Sequence, residues 1–229
     1  STTSPTGAAG STPPIGVPDA NLVPNAAFHG SAGLLGATGA VATGTVPTRW
    51  RGFAVNGSDI AFALEALPAN SLFPGSGPTT AVRVTVNTFG TDQGFDHFNA
   101  YVQIVAGRRH AAEVWLRTGN PDQTPQQVSV SVPLFSGQPP AFTGRDPGAF
   151  VATATSTWTR FSGPDFTEAG DVLAHLAFRL LNDGGQNALL IALPTLIGAP
   201  VGNDVPNPGF AGTGGATVGA VTGPVPNLW

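Results

Sequence analysis

The 229-residue chain has room for one large β domain or two small ones, and it carries a formal net charge of −4, with arginine supplying all nine basic residues. Only 10% of residues are charged, which excludes nucleic-acid binding through a basic surface, and the absence of cysteine excludes disulfides, thiolate metal sites and a cysteine nucleophile. Glycine (31) and proline (22) are abundant beside 41% hydrophobic residues, the composition of a loop-rich folded protein rather than a disordered one.

The opening Ser1-Thr2-Thr3-Ser4-Pro5-Thr6 has neither the basic end nor the apolar stretch of a signal peptide. Nowhere does a run of about 18 apolar residues offer a membrane-spanning helix. Residues 1–18 are small, polar and Pro/Gly-rich, and so bury too little apolar surface to fold alone. They are expected to form a linker, or an extended arm or anchor that packs against a neighbouring subunit or a partner protein.

The segment Asn21-Leu22-Val23-Pro24-Asn25-Ala26-Ala27-Phe28-His29-Gly30 follows, and a Gly/Ala/Thr/Val stretch then leads to Val46-Pro47-Thr48-Arg49-Trp50. From about residue 50 to 195, short runs alternate apolar and polar residues and are broken by Gly, Pro, Asn and Asp, the pattern of strands in a sandwich. Ile60 to Leu64 opens the series, and Val82, Val84 and Val86 then alternate with Arg83, Thr85 and Asn87. Phe98, Ala100, Val102 and Ile104 repeat the pattern, as do Ala112-Val114-Leu116 and Val128-Val130-Val132. Phe150 to Phe161, Val172 to Leu181 and Ala188 to Leu193 complete about eight to ten strands. In Val172 to Leu181, the residues Val172, Ala174, Leu176, Phe178 and Leu180 fall on one side. No long stretch has helical periodicity with caps, which excludes βαβ architecture and its nucleotide crevices. The expected fold is all-β, an antiparallel double sheet.

Beyond residue 200 the first segment returns. Asn203-Asp204-Val205-Pro206-Asn207-Pro208-Gly209-Phe210-Ala211-Gly212 matches residues 21–30 at an offset of 182, and Val225-Pro226-Asn227-Leu228-Trp229 matches residues 46–50. Asn, Phe, Gly, Pro and Trp recurring in one order mark a true repeat. Three parts follow: the arm 1–18, a domain at 19–200, and the opening strand region of a second, similar domain at 201–229.

Asn-Leu-x-x-Asn-x-x-Phe-x-Gly, a Gly-rich stretch and Pro-x-x-Trp together resemble the amino-terminal strand of carbohydrate-binding-module-like jelly rolls. The likeness is greatest to those of fibre and spike proteins of phages and gene transfer agents. Ala188-Leu189-Leu190-Ile191-Ala192-Leu193-Pro194-Thr195-Leu196 resembles their closing strand, which pairs near the first. The resemblance implies a jelly-roll β-sandwich, a non-catalytic glycan-binding role in host attachment, and a place on a virion or phage-like particle surface or in a secreted protein. It also implies a homo-oligomer, with cell-surface polysaccharide and other particle proteins as partners. His29 stands where many relatives carry an acidic residue, which counts against carrying over a family calcium site.

Sugar sites stack an apolar pyranose face on an aromatic ring and fix its hydroxyls with Arg, Asn, Gln and acidic side chains. On the exposed alternation face these types occur as Tyr101 and Gln103, as Glu113, Trp115 and Arg117, as Trp158 and Arg160, and as Arg179 with His175. Together they form a candidate glycan platform, with sandwich packing or a subunit interface as the competing use of the same residue types. Trp50 and Trp229, equivalent in the repeat, read as structural plugs. His29, His97, His110 and His175 are scattered without metal-ligand spacing, so no cofactor is expected beyond one calcium ion that Asp19, Asn21 and a closing-strand carbonyl would suit. Glu65, Glu113 and Glu168 stand beside ten Asp mostly in turns, and Asp165, Glu168 and Asp171 read as a solvated connection, not a glycosidase pair. The alternatives to a receptor-binding module are a structural stalk or decorating domain, and a binding module appended to a secreted polysaccharide-active enzyme.

Overall fold

Short alternating runs hide only one face each, so they must pair into sheets and the sheets must stack. The computed structural model describes residues 21–77, 79–97, 101–181 and 187–200. In chain order the strands are β1 (Leu34–Thr38), β2 (Val41–Gly44), β3 (Arg51–Val55), β4 (Asp59–Leu67), β5 (Thr79–Thr88) and β6 (Asp92–Asp96). They continue with β7 (Val102–Ile104), β8 (Arg108–Thr118), β9 (Gln126–Ser131), β10 (Leu134–Ser136), β11 (Ala141–Phe142) and β12 (Phe150–Ala154). The last are β13 (Thr159–Ser162), β14 (Phe166–Thr167), β15 (Val172–Ala174), β16 (Ala177–Leu180) and β17 (Asn187–Pro200). No helix occurs among the described residues.

A front sheet has the order β1-β3-β6-β16-β9-β12, and a back sheet the order β13-β8-β17-β5-β4-β2, with β14 also on β8. A small sheet, β11-β10-β15-β7, extends the front sheet where β15 runs on into β16. Between β3 and β17 the chain switches repeatedly between front and back sheets, the wrapping of a jelly roll.

Their inner faces close on an aromatic core. Trp50 stacks on Phe95 at 4.6 Å and 7°, Phe28 meets both edge-on, and Phe62 reaches across from the back sheet to within 6.2 Å of Phe95. Val82, Val84, Val86, Val114, Leu116, Val128, Val130, Leu189 and Ile191 fill the rest, as their alternation predicts. Each such side chain contributes roughly 1.5–3 kcal/mol relative to exposure.

The repeated motif is the device that seats this core. Asn25, at φ 54°, donates from Nδ2 to the carbonyls of His29 (2.9 Å) and Thr48 (2.7 Å) and accepts from the His29 N–H at 2.8 Å. Its own carbonyl accepts from Trp50 Nε1 at 3.2 Å. Gly30, at φ +73°, lies where a Cβ would stand 2.4 Å from Thr48 Oγ1, so only glycine fits. Trp50 is therefore the structural plug that the sequence suggests. Trp229, the arm and the second copy lie outside the described residues, as do Asp19, Phe98 and Ala100.

Four local expectations are corrected. The sheets are mixed, because β1 pairs β3 and β2 pairs β4 in parallel. Residues 45–50 carry the chain back to the start of β1, where Leu34 N–H bonds the Trp50 carbonyl, so β3 departs alongside β1 in the same sense. Phe150 to Phe161 is two strands in opposite sheets, and Val172 to Leu181 is two strands in adjoining sheets. There the alternation holds, with Ala174, Leu176, Phe178 and Leu180 buried, while the hydrogen-bonding partners change from β7 and β10 to β6 and β9. Glu168, expected in a solvated connection, is 4% exposed and ion-paired to Arg145.

Candidate functional site

On the front sheet, ladder pairing fixes which side chains leave the core. Gly36, Phe53, Gly94, Arg179, Ser129 and Val151 form one cross-strand row on the outer surface. In the next row Arg51 faces Asp96 directly, and the two join bidentately, Nε to Oδ1 at 3.1 Å and Nη2 to Oδ2 at 2.5 Å. Arg179 Nε lies 3.1 and 3.2 Å from the two oxygens of Asp92. Phe53 lies over Gly94, where a Cβ would come within 2.9 Å of its Cζ, and the Arg51 guanidinium sits 5.6 Å above its ring. This floor borders two depressions that share Arg179 and Asp92. One, of ≈ 240 Å³, includes Thr38, Arg51, Phe53 and Asp96, and the other, of ≈ 420 Å³, is bounded by Gly90, Gln93 and Leu181.

The small sheet carries the aromatic half. Phe135 contacts Tyr101 at 4.9 Å, Phe142 at 5.8 Å and His175 at 5.0 Å, and Tyr101 stacks on His175 at 21°. Phe142 is 57% exposed. Beside these rings a third depression, of ≈ 300 Å³, is lined by Gln103, Phe135, Ser136, Gln138 and Asp171. Asp171 is held there by Gln103 Nε2 at 3.1 Å and the Ala106 N–H at 2.8 Å. His175 lies between the two halves. Its pKa is lowered from the ordinary histidine value chiefly by burial, with Asp96, Arg51 and Arg179 among the charges that act on it.

The nine residues expected on one platform therefore divide. Tyr101, Gln103, His175 and Arg179 lie on this front surface. Glu113, Trp115, Arg117, Trp158 and Arg160 come together on the outer side of the back sheet, along β8 and β13. There residues 68–77 fold over the sheet, and Leu72 and Phe73 join Leu67, Ala81, Leu190, Ala192, Trp115 and Trp158 in a second apolar cluster. Trp115 packs 5.9 Å from Phe73, and the Arg117 guanidinium sits 5.3 Å from the Trp158 ring centre. Glu113 is buried rather than exposed, bound by Arg160 and by Ser162 Oγ at 3.2 Å. Glu65 binds Arg83 at 3.5 Å and lies 4.0 Å from Arg117. The back-face charges are thus paired with one another, while Glu113 Oε2, Trp115 Nε1, Arg117 Nε and Arg160 Nε are buried without a hydrogen-bond partner.

The sequence reading missed Arg51, Phe53, Asp92 and Asp96, because β3 and β6 are five-residue strands with a glycine inside each and little alternation to read. Asn21, considered for calcium, spends its side-chain oxygen on the N–H groups of Val23 (3.0 Å) and Leu196 (3.2 Å). Among the described residues no group of three or more His, Asp or Glu is disposed to hold a metal ion.

No family model and no curated protein matches the chain. Solved structures similar to it include the CBM22-1 xylan-binding domain of Xyn10C from Paenibacillus barcinonensis, with 11% identity and a TM-score of 0.40 over 62% of this chain and 83% of that one. The enzymatically active domain of bacteriophage CBA120 tailspike protein 4 matches with 14% identity and a TM-score of 0.45 over 66% of this chain and 19% of that one. An exo-β-agarase matches with 7% identity and a TM-score of 0.48 over 71% of this chain and 24% of that one. With TM-scores below 0.5, these likenesses assign no ligand to this chain.

Proposed function

We propose that this domain is a non-catalytic glycan-binding module whose site is the front surface, from Tyr101 and Phe135 to Arg179 and Asp92. The observation that carries the proposal is the outward row Leu173, His175, Ala177 and Arg179 along β15 and β16, which joins an aromatic patch to a floor of arginine–carboxylate pairs. A pyranose ring has an apolar face that stacks on an aromatic ring and an equator of hydroxyls that both donate and accept. Arg–Asp pairs meet that equator from both sides, since guanidinium only donates and carboxylate only accepts. Binding without hydrolysis fits the carboxylates, because Asp92, Asp96, Asp146 and Asp171 are each engaged by arginine or amide donors. An open site of this kind is weak alone, so copies on a fibre or spike of a phage-like particle would act together. The repeat that begins at residue 203 supports such copies in series.

The test is retention of the 229-residue protein on an array of bacterial capsules, lipopolysaccharides and neutral plant and algal polysaccharides. Tyr101→Ala and Arg179→Ala are each expected to weaken retention about tenfold or more, roughly 1.4 kcal/mol, while Trp158→Ala on the back leaves it unchanged. Loss with Trp158→Ala alone, or no retention on any surface, overturns the proposal.

A further inference from the structure

We propose that His175 is the acid-sensitive positioning residue of the front surface: its neutral ring holds Tyr101 and Phe135 in place, and protonation of that ring breaks the aromatic patch apart. The consequence for sugar, release on acidification, rests on the glycan proposal above.

His175 occupies the step between β15 and β16, where the polypeptide passes from the small sheet into the front sheet. Its ring is the only one in contact with both Tyr101 and Phe135 among the described residues outside that pair. Its Nδ1 is buried without a hydrogen-bond partner. The charged groups around it are Asp96 on β6, Arg51 on β3, Arg179 on β16 and Asp146 in the loop after β11, two of each sign. Neither carboxylate is idle: Asp96 is held bidentately by Arg51, and Asp146 Oδ1 accepts the Val132 N–H at 2.6 Å. An imidazolium here therefore gains no counter-charge that is not already committed. The faces of Tyr101 and Phe135 attract a cation, whereas burial of the ring disfavours one and lowers the pKa. By linkage, an arrangement that disfavours the proton is weakened by it, and the protonated ring is drawn towards water and away from its stacking partners. A sugar seated on the patch would cover the imidazole further. Its apparent affinity then falls about tenfold per pH unit below the free-state pKa of His175.

Tyr101 is the only tyrosine in the chain, so ring-labelled tyrosine gives one NMR probe beside His175 without any ligand. In the full 229-residue protein its ring signals are expected to move in one step on titration from pH 7.5 to 4.5 (approximate limits set around the histidine range), with a midpoint below 6.5. The step should vanish in both His175→Phe and His175→Gln, the second variant guarding against misfolding of the first. A signal that does not move, or moves alike in both variants, overturns the proposal. The titration is then repeated with mixed-linkage β-glucan, xylan and lipopolysaccharide in turn. Binding that weakens with acid in the unmodified protein but not in His175→Phe supports the proposal, and pH-independent binding overturns it. If none of the three binds, the glycan proposal is damaged while the tyrosine step still decides the role of His175.

Discussion

The front and back surfaces of this sandwich carry the same kinds of residue in the same alternating pattern, yet they end in different physical states. On the back, residues 68–77 lie across β8, β17, β5 and β4, so Trp115 becomes part of a second small core and Arg117, Arg160, Glu65 and Glu113 pair under or beside it. On the front, Gln103, Phe135, Arg51 and Arg179 border three depressions instead. Alternation shows which side chains leave the main core. Whether another segment then covers them is a long-range fact.

The comparison can be broken at its common support first. Trp50→Ala removes the ring that stacks on Phe95 and lies 6.2 Å from Phe178, and is expected to cost about 3–5 kcal/mol. Guanidinium unfolding should show the loss, and both surfaces should fail together. Next comes a pair of changes that separates them. Trp115→Ala opens the back cluster and should lower stability by about 2 kcal/mol without touching polysaccharide retention. Tyr101→Ala should do the reverse, with a stability change of about 1 kcal/mol or less measured on the same unfolding curves. A retention loss in Trp115→Ala would erase the distinction.

Smaller effects sharpen it. Glu113→Gln keeps the shape but weakens a charge-assisted bond to Arg160, and a loss of about 1.5 kcal/mol is expected from the urea midpoint. The smallest concerns pH. His110 and His175 both have pKa values lowered by burial, so the unfolded chain binds their protons more readily than the folded one. Stability is then fully present above about 6.5, declines as pH falls through that value, and levels off below the folded pKa values. His110→Phe, which can still stack on Phe166, should flatten part of that acid limb in unfolding midpoints taken from pH 7.5 downwards (an approximate starting point above the histidine range).

Much of the fold is legible in the sequence because period-two patterns state burial directly. Val82 to Val86, Ala112 to Leu116 and Ala174 to Leu180 face as written. The repeated Asn, Phe, Gly and Trp were legible as important, and the Asn25 clamp supplies their reason. Strand boundaries were not, since Val172 to Leu181 keeps one alternation while it changes hydrogen-bonding partners. The site was half legible. Tyr101, Gln103 and Arg179 announce themselves by type and phase, but Asp92 and Asp96 matter through Arg179 and Arg51, 87 and 45 positions away along the chain. Pairings at that distance leave no local trace.

The bridge between Asn21 and Ile197 has a mechanical meaning. Because it is antiparallel, the chain runs in opposite senses through Asn21 and Ile197, so the backbone N–H side of the first and the carbonyl side of the second face the same end of the sandwich. Tension drawn through those two points would peel the bridge open like a zipper, rather than shear a whole ladder of hydrogen bonds at once. A unit built this way is soft when pulled in line and undisturbed when it hangs to one side.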